Sequence, residues 1–435
     1  MGSYVPSTSA EREQMLKAIG VSSIRDLYCN VPEHMFIEQL NLPEGMSELE
    51  LRRMLTAIAE KNKIFPICLR GAGSYRHYIP ATVKAVTSRE EFLTAYTPYQ
   101  AEISQGILQS IFEYQTMMCE LTGMDVSNAG VYDVGTAAAE SITMCRDRKR
   151  NKAYVAATVQ PDVLETMQTY CLGSGVELTV IPEKDGCVDR EALRAALGAD
   201  AAMFYLQQPN YYGLLENAAE IGQIVHEAGA KFVYGFNPIA AAILPTPAEC
   251  GADVAVGEGQ PLGLDTAFGG PYLGIMTTRE KMTRQLPGRI VGQTVDKNDN
   301  IGYVLTLAAR EQHIRREKAS SNICSNEQLC AFTAGVYLAS VGEQGLKQAA
   351  VNSMSKAHYL ADRLEAELGW KRVHGGEFFH EFVSECPDCE KALCVLAEHG
   401  ILGGLPVAGG ILWCATELVS KQELDKAIAL LKEAF

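Results

Sequence analysis

The sequence predicts an α/β protein with a helical N-terminal arm, a large domain built on a mainly parallel β-sheet and a smaller C-terminal α/β domain. After Asn151, short apolar runs alternate with helical segments, a pattern typical of parallel strands with helices on both faces of the sheet. The 435 residues are enough for two packed domains. With 47% hydrophobic and 21% charged residues, the composition is that of a globular chain with a sizeable core.

Changes in this pattern divide the chain into an arm (1–85), a large domain (86–325) and a small C-terminal domain (326–435). In the arm, Ser47 is followed three residues later by Glu50, which is a capping box at the start of a helix. Apolar residues then recur at helical spacing, so we expect an amphipathic helix. Its apolar positions are Leu51, Met54, Leu55 and Ile58.

The large domain is predicted to begin with two helices. A second capping box, Ser88 with Glu91, predicts a helix that Pro98 ends and turns into an extended segment. A longer amphipathic helix is predicted over about Ile103–Leu121. The sheet strands that follow are predicted at Tyr154–Thr158, Val176–Ile181, Ala202–Leu206, Lys231–Phe236, Asp253–Val256 and Tyr272–Met276.

The C-terminal third is predicted to open with two long helices, over Ile301–Arg315 and Glu327–Leu338. Strands of the small domain are predicted at Phe378–Val383 and Ile411–Ala415. A capping box of Ser420 and Glu423 then predicts a final amphipathic helix. Its buried positions are predicted to be Leu424, Ala427, Ile428 and Leu431.

Charge and hydropathy exclude several classes of protein. A net charge of −15 and a pI of about 5.1 argue against binding to nucleic acid, which requires a clustered basic surface. The basic run Arg146–Lys152 is best interpreted as a solvated helix end. No secretory signal is evident, and apolar stretches such as Ile239–Leu244 are too short to cross a bilayer. We therefore expect a cytoplasmic protein.

The thirteen cysteines are scattered, apart from the pair Cys386 and Cys389. Such scatter in a large chain predicts reduced, mostly buried thiols. The pair supplies two of the four ligands of a structural zinc site, and no second pair stands at the required spacing. A helix cap and turn is the favoured interpretation over a redox or metal role, and we predict no metal site.

The predicted layout is also that of the aminotransferase-like (fold type I) enzymes that depend on pyridoxal 5'-phosphate. Their chemistry requires a lysine to hold the cofactor, a carboxylate for its ring nitrogen and a cup of backbone N–H groups for its phosphate. Residues Gly135–Glu140 are small and stand where a helix begins, so they are a candidate for the cup. Close helix packing by small residues is the slightly favoured interpretation of the same segment.

The other two groups are missing from the expected places. The carboxylate would follow the strand Lys231–Phe236, where the chain reads Asn237-Pro238. The lysine would lie in the turn after Asp253–Val256, but residues 257–263 read Gly-Glu-Gly-Gln-Pro-Leu-Gly. No lysine occurs between Lys231 and Lys281. We therefore expect this chain to bind no cofactor covalently and to have no catalytic residue that acts in isolation.

Four motifs carry a specific resemblance. Residues 71–80 read Gly-Ala-Gly-Ser-Tyr-Arg-His-Tyr-Ile-Pro, residues 96–106 Tyr-Thr-Pro-Tyr-Gln-Ala-Glu-Ile-Ser-Gln-Gly, and residues 287–292 Pro-Gly-Arg-Ile-Val-Gly. The longest motif is 305–324, with Ala-Ala-Arg-Glu-Gln-His-Ile-Arg-Arg-Glu-Lys at its centre. Together they resemble glycine dehydrogenase (decarboxylating), the P-protein of the glycine cleavage system. The missing lysine makes the chain similar to subunit 1, the α subunit of the form that is split into two chains.

The resemblance implies an activity that depends on partners. Subunit 2, the β subunit, would supply the lysine and pyridoxal 5'-phosphate, in an αβ or α2β2 assembly. The pair would decarboxylate glycine, release CO2 and transfer the aminomethyl group to the lipoate of H-protein. The intermediate must be kept from water, and an α subunit packed over the β site would enclose it. The chain departs from the family at Gln160, where relatives show histidine, so no imidazole is assigned a role there.

Two groups of residues are candidates for the shared site. The proline-interrupted segment holds polar and aromatic groups on irregular backbone, and an inter-subunit anchor is the equal alternative. The basic segment could guide an acidic lipoyl carrier, whereas a solvated face or interface ion pairs would explain the same charges. The site candidates are Tyr96, Thr97, Tyr99, Gln100, Glu102, His313, Arg315, Ser321 and Asn322, with Arg310 and Arg316 as further basic residues.

Two other functions remain open from the sequence. The first is a self-sufficient pyridoxal enzyme that uses Lys281 or another distant lysine. The second is a catalytically inactive interaction or scaffolding protein that has kept the fold. A visible, borohydride-sensitive absorption band on the isolated chain would indicate the former, and absence of any effect on glycine decarboxylation by subunit 2 would indicate the latter.

Overall fold

A computed structural model describes residues 6–37, 39–319, 321–323 and 327–435. The chain divides into two compact units, the first ending at Lys63 and the second beginning at Ile64. The predicted domain boundaries at residues 85 and 325 stay predictions.

The secondary structure alternates along the second unit as expected for an α/β protein. The helices are α1 (Ser9–Ile19), α2 (Glu48–Ala59), α3 (Ala81–Thr87), α4 (Glu90–Leu93), α5 (Gln105–Thr122), α6 (Val134–Cys145), α7 (Pro161–Ser174), α8 (Arg190–Ala196), α9 (Ala218–Glu227), α10 (Gln312–Arg315), α11 (Gln328–Leu368), α12 (Cys389–Glu398) and α13 (Lys421–Ala434). The strands are β1 (Ile67–Cys68), β2 (Val126–Ser127), β3 (Lys152–Ala156), β4 (Glu177–Ile181), β5 (Glu183–Lys184), β6 (Cys187–Val188), β7 (Ala201–Gln208), β8 (Lys231–Phe236), β9 (Val254–Glu258), β10 (Gly274–Thr278), β11 (Ile290–Val295), β12 (Ile301–Thr306), β13 (Glu381–Ser384), β14 (Ile401–Leu402), β15 (Leu405–Val407) and β16 (Gly410–Cys414).

The central sheet is mainly parallel, as predicted. Among the described residues it has seven strands in the order β2-β10-β9-β8-β7-β3-β4. The five strands from β4 to β9 in this order are parallel, and β10 and β2 are antiparallel to their neighbours. The antiparallel step from β9 to β10 has no α-helix in its connection, which is why the chain can return in the opposite direction.

The six strands predicted for this sheet are all present, with boundaries within a few residues. Strand β8 covers the predicted range Lys231–Phe236 to the residue. Its apolar run is bounded by a tight turn at Gly229 and by Asn237-Pro238, so the sequence marks both ends. Strand β2 was not predicted because it contains only Val126 and Ser127.

The C-terminal part of the second unit forms its own small α/β layer. Strands β13, β16 and β15 make an antiparallel sheet, against which α11, α12 and α13 pack. The capping box of Ser420 and Glu423 is present, and the four predicted apolar positions of α13 are at most 1% exposed. Helix α11 continues well past the predicted end at Leu338, with a kink where Gly342 adopts a φ of 62°.

The helix predicted over Ile301–Arg315 is wrong. Residues 301–306 form β12, which pairs in antiparallel register with β11 across a turn at Asp296. The Asp296 carboxylate accepts hydrogen bonds from the backbone N–H groups of Asn298 and Asn300, and this fixes the turn. The apolar residues of 301–306 therefore serve cross-strand pairing, and only the short α10 of the predicted helix remains.

The capping box predicted at Ser88 is also wrong. Ser88 ends α3, and the next helix, α4, begins at Glu90 without a side-chain cap. The Glu91 carboxylate instead pairs with the Arg89 guanidinium at 2.7 Å. Helix α4 already ends at Leu93, so Pro98 is not what stops it.

The arm helix α2 has the predicted cap at Ser47 and Glu50. Helices α1 and α2 bury none of their residues. The apolar face of α2 is 40–53% exposed at Leu51, Met54, Leu55 and Ile58. An ordered, capped helix therefore presents an apolar face to its surroundings.

The pair Cys386 and Cys389 has the predicted cap-and-turn geometry, because Asp388 caps α12 and accepts a hydrogen bond from the Lys391 N–H. Burial raises the pKa of Cys386 to about 11, which keeps this sulfur as a thiol at neutral pH. The described cysteines form no disulfide. Within the described ranges, no helix is both long and apolar enough to span a membrane.

Candidate functional site

The first cavity of interest lies at the carboxyl ends of the central strands, where ligands bind in sheets of this kind. The large-domain wall comes from the ends of β7, β8 and β9 and from the start of α6. The facing wall comes from residues 73–75 and from His380 and Glu381, which precede and begin β13. The cavity volume is about 30 Å³, roughly the share of one water molecule in the liquid. We call this cavity the central pocket.

One wall of the central pocket is closed by a glutamine. The Gln160 side chain lies against Gly73, so closely that a Cβ atom at Gly73 would fall 2.0 Å from its Nε2 atom. Gly73 also has a φ of 108°, a conformation that favours glycine.

At the end of β8, the Asn237 side chain caps its own turn by accepting from the N–H groups of Ile239 and Ala240. No acid stands at that position, as the sequence predicts.

The start of α6 is occupied by the side chain of Glu258. Its Oε2 atom accepts from Val134 N at 3.1 Å, and its Oε1 atom accepts from Gln260 N and Leu273 N, both at 3.0 Å. Burial raises the pKa of Glu258 to about 8, although the three N–H groups oppose this shift because they stabilise the carboxylate. Glu258 therefore lies at the first residue of α6, beside the predicted cup of residues 135–140, and within the cup Thr136 N donates to the Asp133 carboxylate.

A second buried acid closes the opposite side. Glu381 accepts from Ala72 N at 2.6 Å and from the Tyr75 hydroxyl at 2.7 Å. Burial raises its pKa to about 7. His380 packs its ring against Tyr75, with the ring centroids 4.5 Å apart, and burial holds its pKa well below the usual value. Neutral imidazole and two acids with raised pKa values line this pocket, and no lysine or arginine does.

These residues do not fit pyridoxal 5'-phosphate. The turn that would carry the lysine instead carries Glu258 and Gln260, carboxylates of Glu258 and Asp133 cap the start of α6, and the volume is far below that of the cofactor. No step of a reaction can be assigned to the cofactor in this chain.

A second cavity brings together three of the predicted site residues. Tyr99, His313 and Ser321 line a space of about 180 Å³ with Arg289 and Arg310. Arg289 Nη2 donates to the Tyr99 hydroxyl at 3.0 Å, and its guanidinium carbon lies 5.2 Å from the centre of the Tyr99 ring. We call this space the arginine cavity.

The arginine cavity carries more positive than negative charge. Glu311 lies 3.8 Å from Arg289 Nε and 3.6 Å from His313 Nδ1 and offsets one of the two arginines. Arg310 donates to the backbone carbonyls of Gly288 and Leu307, and burial lowers its pKa. Guanidinium groups that are buried, as in Arg289, or half-buried, as in Arg310, favour an anionic or carboxylate ligand.

An open groove continues from the arginine cavity. It has a volume of about 790 Å³ and shares Gln312, His313 and Ser321 with that cavity. Arg146 and Arg316 stand on its walls, as does Asn322. Glu140 also lines the groove, and burial raises its pKa to about 7. Arg146 and Arg316 are far apart in the sequence, and no local pattern predicts that they line the same groove.

The other predicted site residues lie elsewhere. Tyr96, 84% exposed, and Thr97 line a different cavity of about 260 Å³ with Phe92 and Phe332. Gln100, Glu102 and Arg315 are exposed on the surface. The structure thus gathers Tyr99, His313, Ser321 and Asn322 around the arginine cavity and its groove, and it separates the remaining candidates from them.

Sequence reasoning missed Arg289, Glu258 and Glu381. Arg289 belongs to the motif at 287–292, so its position in a motif was a signal that it matters. In the sequence, Glu258 is notable only as a member of a turn that lacks lysine. Glu381 gave no local signal, because its partners Ala72 and Tyr75 are some three hundred residues away in sequence.

The fold and the central pocket define a class of protein, the aminotransferase-like (fold type I) pyridoxal-phosphate fold. An alanine–glyoxylate aminotransferase from Nostoc sp. superposes with a TM-score of 0.58 at 17% identity, over 92% of this chain and 98% of its own. At this identity the likeness concerns the fold alone. Pyridoxal 5'-phosphate is the cofactor of this class of fold.

The chain belongs to the glycine cleavage system P-protein family, whose sequence profile matches residues 2–431. A probable glycine dehydrogenase (decarboxylating) subunit 1 from Desulfitobacterium hafniense is 46% identical over 98% of both chains. One from Carboxydothermus hydrogenoformans is also 46% identical, over 98% of this chain and 99% of its own. A crystal structure of an inhibitor-bound glycine decarboxylase (P-protein) of the glycine cleavage system superposes with a TM-score of 0.93 at 38% identity over the whole of both chains.

Proposed function

We propose that this chain is the α subunit of a heteromeric glycine decarboxylase. With a second, lysine-bearing subunit it decarboxylates glycine, and the aminomethyl group passes to one sulfur of the lipoyl disulfide of H-protein while the other sulfur is reduced. The observation that carries the proposal is the central pocket, in which Glu258 accepts from Val134 N at the start of α6 and no lysine is among the described lining residues. The full-length relatives named subunit 1 support the same conclusion.

A self-sufficient enzyme using Lys281 is disfavoured by geometry. Lys281 Nζ lies 3.1 Å from the Asp253 carboxylate, just before the start of β9. The central pocket lies at the opposite, carboxyl end of that strand. The ammonium group is therefore at the wrong edge of the sheet to reach a ligand in the pocket.

Reconstitution tests the proposal. The chain is combined with subunit 2, lipoylated H-protein and glycine labelled in its carboxyl group, and labelled CO2 is measured. We expect release to depend on both subunits and the isolated chain to show no borohydride-sensitive visible band. CO2 release no faster than with subunit 2 alone would reject the enzymatic role, and a borohydride-sensitive band on this chain would support self-sufficiency.

We infer that the arginine cavity is this chain's contribution to the shared site. A guanidinium can only donate hydrogen bonds, so the Tyr99 oxygen must accept from Arg289. The Tyr99 O–H hydrogen is then directed away from Arg289, towards a group that can accept it. Arg289 thus acts as a positioning residue for Tyr99, and the excess positive charge favours a carboxylate such as that of glycine.

We infer that the groove beside this cavity receives H-protein. It leads to the arginine cavity through His313 and Ser321. Its walls carry Arg146 and Arg316 beside Glu317 and Glu140, and because burial raises the pKa of Glu140 to about 7, positive charge is in slight excess in an otherwise acidic chain. Such local positive charge attracts an acidic carrier and speeds its encounter with the enzyme.

Arg316→Glu is therefore expected to raise the KM for lipoylated H-protein about tenfold at low salt. The effect should shrink as ionic strength rises, because salt screens charges on an open surface. The rate with free lipoamide as acceptor should not change. Lys184→Glu, an exposed charge reversal on β5, is the matched control and should leave the KM unaltered. An equal loss in both variants, or with both acceptors, would argue against docking in the groove.

We also propose that subunit 2 covers the apolar face of α2. Leu55 is 53% exposed at the centre of this face, although the helix is ordered and capped. Leu55→Asp is expected to weaken association with subunit 2 by roughly 1–2 kcal/mol, or about tenfold in Kd, because burial of a leucine is lost. Sedimentation equilibrium measures the Kd, and Thr56→Asp on the polar side of the helix is the control. The same Kd for Leu55→Asp and the parent chain would exclude this contact.

A further inference from the structure

We propose that Glu258 is a built-in replacement for a phosphate ligand, so that the central pocket of this chain is satisfied by its own side chain and closed to external anions. The sequence leaves open whether the start of α6 binds an anion. The geometry points to an anion-binding site in which the Glu258 side chain has taken the place of the anion.

The three hydrogen bonds to Glu258 come from three separate segments. Val134 is the first residue of α6, Gln260 lies two residues beyond Glu258, and Leu273 precedes β10. Converging backbone N–H groups, often with a helix start among them, are a common means of binding phosphate. Of the three groups here, Val134 N belongs to the start of α6, and the other two belong to loops. Here the two oxygens of one carboxyl group receive all three, and Glu258 itself is 8% exposed.

Gln260, in the same turn, forms hydrogen bonds to the backbone of Tyr75. Gln260 accepts from Tyr75 N at 2.9 Å and donates to Tyr75 O at 2.9 Å, and it also donates to Leu264 O. The turn that would hold a lysine in a cofactor-binding chain therefore ties residues 71–80 to the sheet. Tyr75 continues the connection to Glu381 through its hydroxyl group.

A second observation indicates that the pocket was built around a ligand. The Tyr205 hydroxyl and both ring nitrogens of His380 line it, are at most 1% exposed and have no hydrogen-bond partner among the described residues. The Tyr205 hydroxyl stands over Gly235, where a Cβ atom would lie 2.3 Å from it. Buried polar groups without partners are rare in a purely structural core. The Tyr205 hydroxyl and the His380 ring nitrogens are therefore interpreted as the polar lining of a ligand pocket. Glu258 occupies the end of that pocket where a phosphate would bind.

The proposal is tested on the full-length chain with inorganic phosphate and formate as probes. In equilibrium dialysis at millimolar concentration, Glu258→Ala is expected to bind more phosphate than the parent chain, a difference in which any binding at the arginine cavity cancels. Glu258→Ala is expected to lose several degrees in Tm, since three buried N–H groups lose their acceptor. Above pH 8, where Glu258 of the parent chain is ionised, formate or phosphate should restore part of the loss in a saturable manner, whereas neutral formamide should not.

Glu258→Gln is the matched control, because the amide fills the same space but places an NH2 group against N–H donors. We expect a lower Tm for this variant and no rescue by formate. Equal phosphate binding by the parent chain and Glu258→Ala, or equal rescue of Glu258→Ala by formate, formamide and chloride, would overturn the proposal. If Glu258→Ala does not fold, an unchanged Tm of Glu258→Gln would overturn it equally well. None of these measurements uses decarboxylation, so their outcome is independent of the proposed activity.

Discussion

Glu381→Ala is expected to lower the free energy of unfolding by about 3 kcal/mol. Glu381 is 3% exposed and is the acceptor for Ala72 N and for the Tyr75 hydroxyl. The substitution leaves both donors buried without this acceptor. Chemical denaturation of the isolated chain measures the change, with two-state behaviour verified by two probes. Glu377→Ala is the control, since Glu377 is exposed in the same segment, and its effect should stay within about 0.5 kcal/mol.

Glu381 is also expected to make the free energy of unfolding depend on pH. Burial raises the pKa of Glu381 to about 7 from 4.5, so the folded state binds this proton more tightly than the unfolded state. Its contribution to stability is therefore complete below about pH 4.5 and is lost as the pH rises through 7, at a total of about 3 kcal/mol. Glu381→Gln cannot ionise and should lose that slope. Identical pH profiles for the parent chain and Glu381→Gln would show that Glu381 titrates normally.

Arg289→Lys is expected to lower kcat/KM of the reconstituted complex by about 10- to 100-fold, with little change in the KM for H-protein. A lysine cannot keep the hydrogen bond to Tyr99 and the approach to Glu311 at the same time, because it lacks the planar fork of arginine. Loss of a hydrogen bond to a charged group corresponds to about 1.5–3 kcal/mol. Steady-state CO2 release with glycine as the varied substrate measures the effect.

Two controls separate positioning from folding in this experiment. Arg279→Lys alters an arginine that also binds backbone carbonyls, those of Ala252 and Ala248, but at the opposite edge of the sheet, and it should leave activity unchanged. Tyr99→Phe and the double variant Arg289→Lys/Tyr99→Phe complete a cycle. If Arg289 acts through Tyr99, the double variant should be no worse than the more impaired single variant. Fully additive losses would mean that the two residues act independently.

Elements with strong local signals were predicted well from the sequence. Strand β8 and helix α13 have boundaries that Gly, Pro and a Ser–Glu capping box mark directly. The hairpin of β11 and β12 was mistaken for a helix because residues 301–306 carry an apolar pattern that either structure can use. Its assignment depends on pairing with residues 290–295, which no local pattern contains.

The sequence by itself determined the mainly parallel fold, the family and the missing lysine, because these depend on local periodicity, long motifs and the identity of residues in one short turn. Only the tertiary structure decided what occupies the space of the lysine and the phosphate. Glu258 meets Val134 from 124 positions away, and Tyr99 meets Arg289 from 190 positions away. Such contacts follow from the way the strands order themselves in the sheet, and the closure of a pocket by its own side chain becomes apparent only once that order is known.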